Sequence, residues 1–222
     1  MRARWGTIAG AALLAAYVTL MALVVIDTPQ DRAPEEPAAS EAGAAEAFVA
    51  AWERSRTSTY LTEGTFERRS EVTGASIASE DVVVQRPPRR IHRQLGGVDG
   101  RDDGRLLVCP APPPGEDEPE PCRYGPEGRS YDSSVRREVE GVRSIVTGGD
   151  PLYTVTSPAD GCFVLDLRRS DPRAPFGIGA TFCFDAATGA PIRSEVRYAE
   201  GINEVVVVDR VTAEVTDADL EP

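Results

Sequence analysis

Between positions 161 and 198, apolar and polar residues alternate with period two through three successive runs, GCFVLDLRRSDPRAPFGIGATFCFDAATGAPIRSEVRY. In the first run Phe163, Leu165 and Leu167 share one face, and Cys162, Val164 and Asp166 share the other. In the second, Ile178, Ala180, Phe182 and Phe184 lie together, with Cys183 opposite. An antiparallel pairing of Cys162 with Cys183 sets Phe163 against Phe182, Leu165 against Ala180 and Leu167 against Ile178. A slip of one residue would turn all of these side chains to the wrong face. The turn DAATGAP follows, where Gly189 can take a positive φ. Beyond it, Ile192, Val196 and Tyr198 continue the apolar face while Arg193, Glu195 and Arg197 face water. The pattern predicts an antiparallel sheet with one buried face and one wet face.

Upstream, the spacing of Ala45, Phe48, Val49 and Trp52 predicts a helix through EAGAAEAFVAAWERSR, capped by Ser40 and packed on the sheet. Strands are expected in YLTEGTFERRS, with Tyr60, Thr62, Gly64 and Phe66 on one side, in ASIASEDVVVQR, in RRIHRQLGG and in RLLVC. GVDGRDDGR reads as a turn, and Pro87-Pro88 as a turn or sheet edge. Val135, Val139, Val142 and Val146 recur at helical spacing in YDSSVRREVEGVRSIVTGG, which Asp132 or Ser133 can cap and Gly148-Gly149 can end. INEVVVVDRVTAEV supplies one or two closing strands, and DADLEP a short tail.

The N-terminal part is of another kind. Residues 5–26, WGTIAGAALLAAYVTLMALVVI, carry no charge, and at 1.5 Å per residue they span roughly 30 Å, enough for a bilayer core. Arg2 and Arg4 precede the segment and Asp27 follows it, which predicts residues 1–4 as a cytoplasmic tail and the C-terminal part outside. The alternative is a cleaved signal peptide, but Val24-Val25-Ile26-Asp27 is a poor cleavage site. The expectation is an uncleaved signal anchor, giving a single-pass cell-membrane protein. Residues 27–43, rich in Pro, Ala and Glu, read as a solvated linker, and residues 44–222 as an extracytoplasmic domain.

Charge and chemistry narrow the function by exclusion. The net charge is −12 and every basic residue but the lone histidine is arginine. An acidic surface argues against nucleic acid as a partner. Cys109 and Cys122 flank PAPPPGEDEPEP, a stretch too rich in Pro and acid to fold alone. Four cysteines allow three pairings; strand geometry favours Cys162 with Cys183, and proximity favours Cys109 with Cys122. Closing the loop would add about 3 kcal/mol by restricting the unfolded chain. Zinc is the alternative, but no pair has CxxC spacing and His92 is the sole histidine, so structural disulfides are the expectation. Arg101 stands where a calcium loop through Asp99, Asp102 and Asp103 needs an oxygen ligand. His92 sits among arginines with no nucleophile elbow, and Gly177-Ile178-Gly179 lacks the third glycine of a dinucleotide loop. No metal, cofactor or catalytic site is expected, and the chain does not read as an enzyme.

The order of elements resembles a known family. AFVAAWERS leading into YLTEGTF, the run into QRPPRRI, a mid-chain helix and FDAATGAPIRSE before the closing strands are similar to the LolA/LppX-like superfamily of bacterial envelope lipid-binding proteins, in particular to membrane-anchored members from high-GC bacteria. Phe184, Asp185, Thr188, Gly189, Pro191 and Arg193 form the most recognisable piece. The resemblance covers roughly 44 to 220. It implies a mainly β, α+β fold, in which a strongly curved antiparallel half-barrel is covered by two or more helices. Its concave face would hold a lipid or an acylated partner without catalysis. The candidate lining is Phe66, Ile91, Leu95, Leu165, Ala180, Phe182, Val196 and Tyr198, with Val135, Val139 and Val142 from the covering helix. The alternative is an envelope regulatory or interaction domain whose half-barrel is filled by its own side chains and whose surface binds another envelope protein. An apolar void of several hundred cubic ångströms would favour the lipid, and a filled interior the protein partner.

Overall fold

The computed structural model describes residues 41–112, 121–159, 161–172 and 174–222, all within the compact unit Ala38–Pro222. The expected tail 1–4, anchor 5–26, Ser40 cap and all but the end of the linker lie outside the described residues. Among the described residues no helix is long and apolar enough to cross a membrane. Nothing among the described residues therefore supports the expected N-terminal transmembrane signal anchor, membrane partner or single-pass location.

Helix α1 (Glu41–Thr57) leads into a meander of six strands: β1 (Tyr60–Ser70), β2 (Ser76–Arg86), β3 (Arg89–Gln94), β4 (Gly97–Asp102), β5 (Arg105–Cys109) and β6 (Arg123–Glu127). Helix α2 (Tyr131–Val146) connects it to a second meander, β7 (Tyr153–Ala159), β8 (Cys162–Leu167), β9 (Gly179–Phe184), β10 (Pro191–Arg197) and β11 (Ile202–Thr212). A short 3₁₀ turn, Ala218–Leu220, lies near the C-terminus. The strands form one sheet in the order β6, β5, β4, β3, β2, β1, β11, β10, β9, β8, β7. The first and last strands in sequence are neighbours at its centre, paired antiparallel from Leu61–Thr212 to Ser70–Ile202. A bulge between Glu63 and Gly64 relieves this seam, and a Cβ at Gly64 would collide with the Val207 carbonyl.

In β8 and β9, Cys162 pairs with Cys183, Phe163 with Phe182 and Leu165 with Ala180, as the alternation predicts. Disulfides join Cys162 to Cys183 and Cys109 to Cys122. The glycine-rich segment read as a turn, GVDGRD, is strand β4, held on both sides by β3 and β5. Ser130, upstream of the expected caps, closes the start of α2 by accepting from the Ser133 N–H at 3.4 Å.

The expected half-barrel does not form. The sheet is open, with β6 and β7 as its edges, each carrying a proline (Pro126 and Pro158) that discourages further pairing. The physical reason is that the buried face changes across the sheet. In the β7–β10 half, Phe163, Leu165, Ala180 and Phe182 point to the helices and pack on Phe48, Val49, Val135, Val139 and Val142. In the β1–β5 half, the row Leu61, Val84, Ile91, Gly100, Leu107 lies on the opposite face. There the C-terminal segment covers it, with Leu220 fully buried beside Leu61, Val84, Ile91 and Leu107. A sheet buried on opposite faces in its two halves cannot wrap a single concave apolar cavity.

Three arginines hold the C-terminal segment in place. Arg86 donates to the Val215 carbonyl at 3.3 Å and pairs with Asp217, Arg89 donates to the Leu220 carbonyl at 3.1 Å, and Arg93 donates to the carbonyls of Asp219 (3.0 Å) and Glu221. Leu220 is therefore part of the core despite its place in an acidic tail. Leu220→Ala is expected to destabilise the domain by about 2–5 kcal/mol through the cavity it leaves. Urea unfolding checks this; a change within about 0.5 kcal/mol, as for a surface site, would mean the segment is only loosely applied.

Candidate functional site

The helix-bearing face is the natural place for a site, and its two halves differ in chemistry. One row across the sheet centre reads Phe163, Phe182, Ser194, Val206, Phe66, Ser79. Two rows in the other half read Tyr60, Gln85, Arg90, Arg101, Leu106 and Thr62, Val83, His92, Asp99, Val108. Apolar packing thus gives way to a polar floor as the face passes β1.

In the apolar half, α1 drives Phe48 into a cluster of aromatic rings. Its centroid lies 5.5 Å from that of Phe163, 5.7 Å from Trp52, 5.8 Å from Phe182, 6.2 Å from Phe176 and 6.4 Å from Phe184. These separations are those of rings in direct contact. Tyr153 closes the far side, donating to the Gly177 carbonyl and accepting from the Phe176 N–H, each at 3.0 Å. Burial raises the Tyr153 phenol pKa.

The polar half begins where α1 ends. Helix C-termini leave carbonyls without intrahelical donors, and three side chains supply them here. Tyr60 donates to the Ser55 carbonyl at 3.0 Å, Gln85 to those of Ser55 and Ser58 at 2.7 and 2.8 Å, and Tyr131 to that of Arg56 at 2.7 Å. Burial raises the pKa of both tyrosines, so the phenols stay neutral donors. Glu138 on α2 accepts from Trp52 Nε1 at 3.0 Å and from Arg56 Nε at 2.8 Å, and the Arg56 guanidinium lies over the Trp52 ring. Burial pushes the Glu138 pKa up, but the charge and hydrogen bond of Arg56, the Trp52 hydrogen bond and the charge of Arg90 together bring it below its ordinary value. Arg90 lies beneath this pair with its Nε buried and without a hydrogen-bond partner. Desolvation, then repulsion from Arg56, lowers its pKa.

Between the two halves is a recess of about 170 Å³, with Phe182, Phe184, Trp52 and Val83 on one wall and Asp81, Arg90, His92 and Gln94 on the other. Asp81 Oδ1 is bridged by His92 Nε2 and Gln94 Nε2, both at 2.8 Å, and Asp99 stands 3.5 Å from His92 Nδ1. The neighbours of His92 are carboxylates rather than a hydroxyl or thiol, so no nucleophile is activated there. Among the described residues no group of three or more His, Cys, Asp and Glu could hold a metal ion. The domain carries no catalytic machinery in the described residues.

The structure separates the expected lining into three groups. Phe66, Leu165, Ala180, Phe182 and Val196 lie on the helix-bearing face, and Val135, Val139 and Val142 reach it from α2. Ile91 is on the opposite face under Leu220. Leu95 is exposed in the β3–β4 turn, at φ 52°, and half-buried Tyr198 follows β10 with its hydroxyl 3.1 Å from Glu204 Oε2. The polar residues Asp81, Arg90 and Gln94 are absent from that lining, and the signal for them was their alternation with Ile91 in RRIHRQ and Val82 and Val84 in EDVVVQR.

No protein-family model matches the chain, and no curated protein does. Among solved structures, similarity is found to a Pseudomonas aeruginosa MucA/MucB complex, with a TM-score of 0.46 and 16% identity over 81% of this chain and 60% of that one. A structure of MucB in complex with MucA(peri) has a TM-score of 0.39 and 17% identity, over 80% of this chain and 59% of the other. A LolA superfamily protein from Nitrosomonas europaea has a TM-score of 0.32 and 10% identity, over 81% of this chain and 98% of that one. With scores below 0.5, these likenesses bear on nothing that follows. The resemblance to membrane-anchored LolA/LppX-like proteins is corrected in its half-barrel by the open sheet described above, and its anchor has no support among the described residues.

The Glu138 contacts join the two helices, and their pH dependence has a definite sign. A carboxylate with a lowered folded-state pKa contributes stability that is complete above its ordinary value of 4.5 and lost as pH falls from there through the folded-state value. Because the Glu138 side chain is 39% exposed, the effect is expected below about 1 kcal/mol. Glu138→Gln should flatten this acid limb while leaving the Trp52 hydrogen bond in place. Urea midpoints of both proteins from neutral pH downward test it, and parallel curves would show that Glu138 does not contribute.

Proposed function

We propose that the domain is an extracytoplasmic, non-catalytic interaction module that recognises another protein through its surface. The observation that carries this reading is the filled interior: Phe48, Phe163, Phe182, Phe184, Phe176 and Trp52 occupy the space between helices and sheet that an acyl chain would need. The recess beside them, about 170 Å³, is below the roughly 300–1,000 Å³ of small-molecule sites. The two disulfides suit an oxidising compartment outside the cytoplasm. A rigid, cross-linked sheet whose core needs no ligand is suited to presenting side chains to a partner.

Native mass spectrometry of the delipidated protein, mixed with phospholipid and free fatty acid, discriminates the two uses of the fold. A single ligand-free mass is expected. Stoichiometric retention of an acyl lipid would overturn the interaction reading. Crosslinking for partners must address carboxylates, because the chain has no lysine.

A further inference from the structure

On the helix-bearing side, near edge strand β6, a groove of about 450 Å³ is lined by Arg101, Arg105, Arg129 and Arg137, with Ser134 and Leu106, and among the described residues by no carboxylate. This runs against the composition, in which acidic residues outnumber basic ones by 36 to 24. Elsewhere on the surface arginines sit on carboxylates: Arg68 on Glu204 at 2.6 Å, Arg168 on Glu41 at 2.5 Å and Arg210 on Glu63 at 2.5 Å. Among the described residues, none of the four groove arginines has such a partner. They come from β4, β5, the β6–α2 connection and α2, so the fold gathers them from separate parts of the chain.

A second observation points to a missing anion. Arg101 stands directly opposite Arg90 in the β3–β4 ladder, and like charges in that relation are destabilising. Behind them a small recess is shared by Arg56, Arg90, Arg101 and Glu138, so one carboxylate faces three guanidinium groups, and Arg90 Nε is buried with no acceptor. The surplus is positive and partly shielded from water, and it adjoins the groove through Arg101 and Ser134, which line both.

We propose that this groove docks a carboxylate-rich segment of a partner protein. The inference rests on the interaction reading above and names the chemistry of the partner. Guanidinium forks match carboxylates two bonds at a time. Four arginines spread around an open groove suit several carboxylates along a chain better than one phosphate. Leu106, Gly125 and Pro126 give the groove an apolar stretch for the methylenes of acidic side chains. Recognition runs through side chains, since Pro126 in β6 opposes addition of a further strand.

The test uses the full chain and a fluorescent peptide of alternating glutamate and leucine, read by anisotropy. Expected are saturable binding at low salt, weakening as salt rises, and loss of about tenfold or more in affinity in the double variant Arg101→Glu/Arg137→Glu. Arg69→Glu, a charge reversal of the same kind on β1 away from the groove, should bind as the parent does. Equal urea midpoints of the three proteins show that folding is intact, and Arg105→Glu/Arg129→Glu replaces the first pair if it unfolds. No binding at low salt, equal loss in Arg69→Glu, or binding of pyrophosphate or anionic phospholipid vesicles in place of the peptide would overturn the proposal. These outcomes leave the ligand-free core untouched, whereas lipid retention would remove the interaction reading itself.

Discussion

Strand β1 has to bury both of its faces, and the rest of the domain is arranged to meet that demand. Tyr60, Thr62 and Phe66 point to the helices, while Leu61 points to the C-terminal segment. One strand in the middle of the sheet is thus the boundary between two cores. An amphipathic helix can fill one of them, but the other needs cover from elsewhere, and the chain supplies it with its last ten residues. The arginines of β2 and β3 bind that segment largely through its backbone carbonyls, so its acidic side chains remain in water.

The second meander was legible because its sequence satisfies both faces at once. Phe163, Leu165, Ala180 and Phe182 against Cys162 and Cys183 leave one register, and it is the one seen. The first meander was not legible in the same way. GVDGRD has three polar and two glycine positions in six, little to distinguish a strand from a loop, and only its neighbours on both sides make it β4. Without β4, the facing of Arg90 and Arg101 is invisible. Ile91 was placed with Phe66 because both are apolar, although each obeys its own strand's alternation toward a different side. Leu220, the single large apolar side chain in DADLEP, gave no periodic signal; its burial is a tertiary fact.

The two halves of the helix-bearing face also differ in what they hold. The aromatic one is closed and self-sufficient, with every ring in contact with another ring. The polar seam between the helices and β3 is where charge is left uncompensated, around Arg90 and the arginines beyond it. Stability lies chiefly in the first region, and the uncompensated charge in the second. A filled interior thus sits beside an electropositive margin on a chain whose net charge is −12.

The central seam has a kinetic consequence. Every other strand pairing links neighbours in sequence, so each meander can zip locally; β1 and β11 meet only after Ile202–Thr212 has emerged, about 140 residues after β1. Until then the central strand of the sheet has one open flank. Closing the loop between its two ends is the long-range event of folding, and the time before it happens is when the chain is most exposed to pairing with the wrong strand of another molecule.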